Sequence, residues 1–204
     1  MSIVTLVSGG LDSTLMAVLT KEEGITQFPL FINYGQICKE QELRACKIVH
    51  NNLKLPKPVV MDISGFGRLI SSGLTDPKKR VNEDAFLPGR NLLFLLAGSS
   101  YAFQTNSSAV AIALLSEKSS IFPDQTSSFL SKAQDMISQT MGRDIQIIAP
   151  LMEFSKVDVV KLANKKGITD TYSCHSGTEK PCGICVSCIE RIAAETKGGD
   201  RNGR

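Results

Sequence analysis

The beginning of the chain constrains the fold most, because a strand-like run passes through a glycine turn directly into a helical pattern. Residues 3–7 are apolar or β-branched without interruption, which is typical of a strand buried on both faces of a parallel sheet. The run ends at Ser8-Gly9-Gly10, and apolar residues recur at helical spacing from Ser13 onward. A strand, turn and helix in this order predict an α/β fold.

Strand-like and helical patterns alternate along the rest of the chain. Further strands are predicted at residues 27–33, 58–62, 108–114 and 145–148. Helices are predicted at residues 36–53, 90–104, 123–141 and 155–166. Elements that alternate in this way are joined by right-handed crossovers, so we predict a Rossmann-like, doubly wound parallel sheet. Ligands of such a sheet bind at the carboxyl ends of its strands.

Chain length indicates one folded domain with a small appendage. A chain of 204 residues can bury one complete core, and two large domains would be crowded. We predict an α/β domain at residues 1–170, a cysteine segment with a helix at 171–195 and a disordered tail at 196–204. The irregular stretch 64–88 is interpreted as either a functional lid or a disordered loop.

Composition and charge exclude several classes of protein. Hydrophobic residues make up 42% of the chain and charged residues 21%, which indicates a folded rather than a disordered protein. A net charge of +3 is too small to argue for a nucleic-acid partner. No stretch approaches the roughly 18 apolar residues that a membrane span needs. No basic leader precedes the first strand, so a cytoplasmic location without a membrane partner is expected.

The glycine loop, residues 8–13, has the composition of a phosphate-binding turn. Its two glycines let the backbone approach an anion, and the unpaired N–H groups at the start of the next helix attract one. Ser8 and Ser13 can donate hydroxyl groups, whereas an ionised Asp12 would accept backbone N–H groups or bind Mg²⁺. The alternative is an ordinary turn in which Asp12 or Ser13 caps the helix. The residues expected at the phosphates are Val7, Ser8, Gly9, Gly10, Leu11, Asp12, Ser13 and Thr14.

The glycine loop also differs from the commonest nucleotide-binding motif. It has no lysine, so it is not the Gly-x4-Gly-Lys-Ser/Thr pattern that serves transfer of a γ-phosphate. It resembles the motif of the N-type ATP pyrophosphatase superfamily, whose members cleave ATP between the α- and β-phosphates to adenylate a substrate. This resemblance implies that ATP and Mg²⁺ are cofactors.

Four cysteines near the C-terminus have the spacing of a metal site. They form a C-x7-C-x2-C-x2-C array made of Cys174, Cys182, Cys185 and Cys188. Thiolates bind zinc tetrahedrally, and four of them close its coordination, so we predict a structural Zn²⁺. Buried cysteines, a redox CxxC or an iron–sulfur cluster are the alternatives. His175 could replace one ligand, and the default interpretation of Cys38 and Cys46 is a core or surface thiol.

Several motifs together, in chain order, resemble the 7-cyano-7-deazaguanine synthase family of queuosine and archaeosine biosynthesis, over residues 2–194. The motifs are the glycine loop, Tyr34-Gly35-Gln36 with Glu42, Pro88-Gly89-Arg90-Asn91, Phe122-Pro123-Asp124, Pro150-Leu151 with Ser155-Lys156, and the cysteine array together with Ser173, Lys180, Pro181, Gly183, Ser187 and Arg191. The resemblance implies an ATP-dependent ligase with an adenine nucleotide alpha hydrolase-like fold. Its members convert 7-carboxy-7-deazaguanine and ammonia to the nitrile through an adenylated carboxylate and an amide, and the family suggests a homodimer.

The resemblance also assigns roles to residues outside the glycine loop. Arg90 and Lys156 are the cations expected at phosphate oxygens or at the acyl-adenylate, and with Asp12 they form the predicted catalytic set. The residues expected at the substrate are Tyr34, Gln36, Arg90, Asn91 and Asp124. The Asp124 carboxylate suits the N1–H and exocyclic amine of a guanine-type ring, although a role as N-cap of the following helix is equally compatible with its position.

Two departures from the family pattern leave other functions open. Cys38 stands where the family has a histidine, and Gln125-Thr126 stands where it has Cys-Arg. They motivate an alternative in which a related deazapurine ligase stops at the amide or transfers the activated deazapurine to a macromolecule in DNA modification or defence. Thiolation of tRNA and a non-catalytic zinc-ribbon module are further alternatives.

Overall fold

A parallel β-sheet forms the centre of the molecule. The computed structural model describes residues 1–81, 83–119 and 121–199. The strands are β1 (Ser2–Leu6), β2 (Thr26–Asn33), β3 (Val59–Asp62), β4 (Ala109–Ala111) and β5 (Gln146–Ile148). They pair in the order β3-β2-β1-β4-β5, and all four pairings are parallel. The predicted doubly wound α/β architecture is therefore confirmed.

Helices cover both faces of this sheet. They are α1 (Leu11–Glu22), α2 (Lys39–Asn52), α3 (Gly65–Leu69), α4 (Arg90–Gln104), α5 (Ser127–Met141), α6 (Lys156–Lys165) and α7 (Val186–Gly199). Successive residues of β1 contribute to opposite faces, because Ile3 packs in the apolar core beneath α1 and α6 while Val4 packs in the core beneath α4 and α5. The uninterrupted apolar run that predicted this strand reflects burial on both sides.

The strand order creates a crevice beside β1. From β1 the chain winds outward through β2 and β3, and it then crosses back to place β4 on the other side of β1. The connections that leave β1 and β4 therefore diverge, and a ligand crevice opens at the carboxyl ends of these two strands. Ile3 lies beside Ala109 and Leu6 lies beside Leu30 in this register, so the glycine loop leaves the sheet at the crevice.

Several element boundaries differ from the prediction. The fourth strand ends at Ala111, and after one further bond from the Ile112 N–H to the Ile148 carbonyl the chain continues along the wall of a cavity. Helix α5 begins at Ser127 because Thr126 is its N-cap, with the Thr126 hydroxyl accepting the Phe129 N–H at 3.1 Å. Asp124 therefore does not cap this helix. Helix α2 begins at Lys39, after a turn that returns the chain to the crevice.

Two stretches without clear periodicity contain ordered elements. The stretch 64–88 holds α3 and buries the side chains of Leu74 and Leu87 in the core. Helix α7 continues through residues 196–199, which the sequence assigned to a disordered tail, and residues 200–204 lie outside the described residues. The extension of α7 is supported by burial of Ala194 and by an ion pair between Arg191 and Glu195, 2.8 Å apart.

Candidate active site

The glycine loop packs tightly against the N-terminal half of α2. Gly9 has φ +79°, and a Cβ at this position would lie 2.5 Å from both the Cys46 nitrogen and the Glu42 carbonyl oxygen. Only glycine fits, because the conformation is left-handed and the neighbouring atoms belong to backbone. Gly10 is the N-cap of α1. Neither Asp12 nor Ser13 caps the helix, so the ordinary-turn alternative does not describe this loop.

Two serine hydroxyls hold the loop in shape. The Ser13 hydroxyl accepts the Ser8 N–H at 3.2 Å and lies 3.1 Å from the Ser8 hydroxyl. The Ser8 hydroxyl in turn accepts the Gly10 N–H at 3.2 Å. These bonds fix the conformation of the loop where it leads into the first turn of α1. A helix N-terminus with this arrangement favours an anion.

Lys156 joins this loop from the other half of the chain. Its ammonium group donates to both carboxylate oxygens of Asp12 at 2.8 Å, across a sequence separation of 144 residues. Lys156 opens α6, whose start is fixed by a capping box between Ser155 and Asp158. The side chains of Lys156 and Asp12 are only 13% and 28% exposed. Two of the three predicted catalytic residues therefore touch, and Asp12 pairs with a cation instead of accepting backbone N–H groups.

A cavity of about 300 Å³ lies between the glycine loop, β2, α4 and the C-terminal segment. The predicted site residues that line it are Val7, Ser8, Gly10, Asp12, Ser13, Tyr34, Gln36, Arg90, Asn91 and Lys156. Gly9, Leu11, Thr14 and Asp124 are not among the described residues that line it. We call this the main cavity. A second cavity of about 390 Å³ adjoins it and shares Asp12, Gln125, Lys156 and Glu190 with it.

Arg90 lies against aromatic rings inside the main cavity. Its guanidinium carbon is 6.0 Å from the centre of the Tyr34 ring and 5.9 Å from that of Phe94. Burial raises the pKa of Tyr34, and the charge of Arg90 partly opposes this rise. Asn91 donates its side-chain N–H to the backbone carbonyl of Asp124 at 3.0 Å. Asp124 is thus tied to the site through its backbone, while its carboxylate does not line the main cavity in the described residues.

The Gln36 amide is fully engaged within the protein. Its oxygen accepts the Tyr34 N–H at 3.0 Å, and its nitrogen donates to the Ile32 carbonyl at 3.3 Å and to a Glu42 carboxylate oxygen at 3.0 Å. Gln36 therefore shapes the cavity and positions Glu42, which the sequence did not assign to the site. Burial raises the pKa of Glu42, and hydrogen bonds from Gln36 and Cys38 and the charge of Arg90 oppose the rise.

The four predicted metal ligands converge near the cavity. The sulfur atoms of Cys174, Cys182, Cys185 and Cys188 all lie within 4.8 Å of one another. All six cysteines lie in the described ranges, and none forms a disulfide. Backbone N–H groups donate to two of the sulfurs, from Cys182 to Cys174 at 3.3 Å and from Cys185 to Cys182 at 3.4 Å. This cysteine cluster fits one tetrahedral metal ion.

Residues around the cysteine cluster also close the main cavity. Tyr172 donates its N–H to the Gly9 carbonyl at 2.9 Å, and Ser173, His175 and Glu190 line the cavity beside it. Burial lowers the pKa of His175 to about 4, with further contributions from Arg90 and Lys156. The His175 Nδ1 atom has no hydrogen-bond partner among the described residues, and the side chain faces the cavity instead of the cluster. Ser173 belonged to the family motif around Cys174, whereas adjacency to Cys174 was the sequence signal for His175.

Cys38 and Cys46 belong to the interior of the protein. Both are at most 1% exposed, and burial raises the pKa of Cys46 to about 12. Burial also raises the pKa of Cys38. Their default interpretation as core thiols is consistent with this burial, since core thiols have raised pKa values and low reactivity.

The fold and the site together define a class of protein. A parallel sheet whose first strand runs through a lysine-free glycine loop into a helix is a Rossmann-like α/β fold with a ligand crevice at the carboxyl ends of its strands. The solved structure of a 4-thiouridine synthetase in complex with RNA and ATP is similar to this chain with a TM-score of 0.51. The two are 15% identical, with 98% of this chain and 50% of that chain covered, so the likeness concerns the fold alone.

Sequence comparison narrows the class to one family. The family model described as "Queuosine biosynthesis protein QueC" matches residues 2–198. The chain is 31% identical to a 7-cyano-7-deazaguanine synthase of Campylobacter jejuni subsp. doylei, over 95% of this chain and 93% of that protein. It is 32% identical to the 7-cyano-7-deazaguanine synthase of Prochlorococcus marinus, over 100% and 97%. The protein belongs to the QueC family, and the resemblance read from its motifs is confirmed.

In the part of the chain that the structure describes, no helix combines the length and the apolar character needed to cross a membrane.

Proposed function

We propose that this protein is an ATP-dependent ligase that converts 7-carboxy-7-deazaguanine and ammonia to 7-cyano-7-deazaguanine. Membership of the QueC family supports this activity. The observation that carries it at the level of the site is one cavity in which the glycine loop, the Asp12–Lys156 pair and Arg90 come together. An anion-binding turn beside fixed cations suits adenylation of a carboxylate.

Activation of the substrate is the first task of the site. A carboxylate is a poor electrophile, so transfer of AMP to it supplies a leaving group, and ammonia displaces that AMP to form the amide. The amide oxygen must leave in turn for the nitrile to form, and adenylation by a second ATP would make it a leaving group in the same way. The N–H groups at the start of α1 and the hydroxyls of Ser8 and Ser13 would hold the departing pyrophosphate. Because the loop is ordered by its own hydrogen bonds, these donors need little reorganisation as negative charge develops.

Lys156 and Arg90 would stabilise charge on either side of the reacting phosphate. Lys156 is fixed at the loop by Asp12, and Arg90 is held against the Tyr34 and Phe94 rings. A bound Mg²⁺ would add positive charge at the pyrophosphate oxygens. The Asp12 carboxylate is a hard oxygen ligand that could hold it, since Mg²⁺ at phosphates commonly uses one or two carboxylates. Lys156, Arg90 and Asp12 remain the proposed catalytic set.

Zn²⁺ is the metal proposed for the cysteine cluster. Four thiolates leave no open coordination position, so the ion would stabilise the segment and would not activate water. A cluster of unpaired thiols suits a reducing compartment, which supports a cytoplasmic location. A homodimer remains an expectation taken from the family resemblance.

The proposed activity is tested by product analysis. The purified protein should convert 7-carboxy-7-deazaguanine, ATP, Mg²⁺ and ammonium into a nitrile with AMP and pyrophosphate, and mass spectrometry with phosphate analysis would detect these products. The control without the deazapurine should form no AMP. If ADP and phosphate were the primary products, the proposal that ATP is cleaved between its α- and β-phosphates would be wrong. Accumulation of the amide alone would support the related ligase that stops at that stage.

A further inference from the structure

Glu42 occupies a position in the main cavity that phosphate binding does not explain. It lies on the first turn of α2, beside the glycine loop, and one of its carboxylate oxygens accepts a hydrogen bond from Gln36 at 3.0 Å. Its side chain lines the cavity together with Tyr34, Arg90 and Phe94. A half-buried carboxylate would repel a phosphate group, so this part of the cavity suits a different part of a ligand.

The Glu42 carboxylate retains unused hydrogen-bonding capacity. A carboxylate in its ionised form can accept about four hydrogen bonds, and among the described residues the Gln36 amide donates one to Glu42. The charge of Arg90 favours the ionised form of Glu42. Buried carboxylates normally have their remaining lone pairs satisfied, and a ligand with adjacent N–H groups would do this.

We infer that Glu42 recognises the two adjacent N–H donors of the substrate, the ring N1–H and the exocyclic 2-amino group of the deazapurine. This inference rests on the proposed function and assigns the substrate end of the same site. A carboxylate matches two donors side by side in a bidentate manner. The adenine base of ATP presents an amino donor beside a ring-nitrogen acceptor, so the same carboxylate disfavours it. Glu42 thereby distinguishes the deazapurine ring from the adenine ring of ATP, which the enzyme must bind at the same time.

The surroundings of Glu42 favour a flat aromatic ring. The Tyr34 and Phe94 rings lie 5.1 Å apart, with Arg90 over both, and they belong to the same cavity lining as Glu42. Aromatic rings and a guanidinium plane provide stacking surfaces for a heterocycle. Asp124, which the sequence placed at this edge of the substrate, does not line the main cavity in the described ranges. Glu42 takes over the role predicted for it.

The test combines an isosteric variant with a substrate analogue. Glu42→Gln keeps the acceptor for Gln36 but turns an NH₂ group toward the substrate donors. The KM for 7-carboxy-7-deazaguanine should rise at least about tenfold, because a buried donor then faces a donor. The KM for ATP should change by less than about twofold. Glu40→Gln on the same helical turn, where the carboxylate is 79% exposed, is the matched control and should match the wild type.

A substrate analogue tests the same inference in the wild-type protein, without any substitution. The wild type should use the analogue that lacks the 2-amino group at least about tenfold less efficiently than the natural ring, measured as kcat/KM for AMP formation. In the Glu42→Gln variant, the ratio of kcat/KM for the natural ring to kcat/KM for the analogue should be smaller than in the wild type. If Glu42 had only a structural role, Glu42→Gln would lower kcat/KM equally for the natural ring and for the analogue, and their ratio would not change. That result would overturn the inference.

Two further outcomes separate the inference from the proposed function. If the wild type turns over both rings equally, or if Glu42→Gln raises the KM for ATP instead, Glu42 does not recognise the substrate although the ligase activity stands. If the wild type forms no AMP with 7-carboxy-7-deazaguanine, the proposed function is wrong and the inference is rejected with it. Melting curves of both variants would reveal a folding defect. If Glu42→Gln does not fold, the wild-type ratio of kcat/KM for the natural ring to kcat/KM for the analogue decides whether the 2-amino group is recognised.

Discussion

Ser13 is the residue through which the glycine loop acquires its shape. Its buried hydroxyl accepts the Ser8 N–H, contacts the Ser8 hydroxyl and donates to the Gly10 carbonyl at 3.3 Å. These bonds orient the same N–H groups that would hold the pyrophosphate. A single side chain therefore has a structural task and a catalytic one, and its loss should affect the rate more than the fold.

At this scale we predict that Ser13→Ala lowers the rate of AMP and pyrophosphate formation at least about tenfold, since an oriented loop donor contributes about 1.4 kcal/mol or more in the transition state. Pyrophosphate release in a coupled assay would measure it. Ser100→Ala is the control, because the Ser100 hydroxyl makes a 3.0 Å bond to the Leu96 carbonyl on the exposed side of α4. Wild-type turnover in Ser13→Ala would contradict the role of the loop.

The cysteine cluster acts at the scale of an element, because it shapes a segment with little hydrophobic core of its own. Cys185 is fully buried, and its carbonyl accepts the Ile189 N–H at 3.0 Å in the first turn of α7. The segment that precedes α7 has no regular secondary structure from Thr171 to Cys185. Metal binding would supply folding free energy that this segment otherwise lacks.

We predict that Cys185→Ser lowers the zinc content from about one ion per chain toward zero and loosens residues 172–191, with loss of activity, because three thiolates do not close a tetrahedral site. Elemental analysis and hydrogen exchange would measure both effects. Cys46→Ala, at a buried thiol outside the cluster, should retain its zinc. A Cys185→Ser protein with no zinc but native protection and full activity would show that the metal is dispensable, and iron without zinc in the wild type would favour the iron–sulfur alternative.

At the scale of the whole molecule, the site joins the two ends of the chain. Tyr172 bonds to Gly9, Ser173 lies 3.5 Å from the Leu11 nitrogen, and Lys156 pairs with Asp12. Each of these contacts spans well over a hundred residues of sequence. The glycine loop and the C-terminal segment should therefore respond together when a nucleotide binds.

We predict that a non-hydrolysable ATP analogue with Mg²⁺ slows hydrogen exchange at least about threefold in residues 8–14 and also in residues 172–190, because a ligand that contacts both segments stabilises both against local opening. Exchange measured by mass spectrometry would resolve the two segments. Helix α5 does not line the main cavity in the described residues and should be unaffected. Protection confined to residues 8–14 would show that the C-terminal segment does not contact the bound nucleotide.

Local sequence patterns were sufficient for much of the fold. The apolar run of β1, the glycine loop and the spacing of the cysteines each lie within a short stretch, so their physical meaning is visible without tertiary contacts. The predicted helix at 90–104 has the same bounds as α4 for this reason. The boundary of α5 was missed because Thr126, and not Asp124, supplies the capping oxygen.

Tertiary structure decided which of these local features meet. The strand order β3-β2-β1-β4-β5 places the carboxyl ends of β1 and β4 side by side, and this brings Lys156 to Asp12 and Glu190 to the cavity. The sequence placed Glu42 in a family motif but assigned it no role at the site, because its direction depends on the Gln36 bond and on the packing of α2 against Gly9. The sequence by itself determined the elements and their chemistry, since periodicity, turns and ligand spacing are local. Only the folded sheet determined the site, since its contacts join residues far apart in the chain.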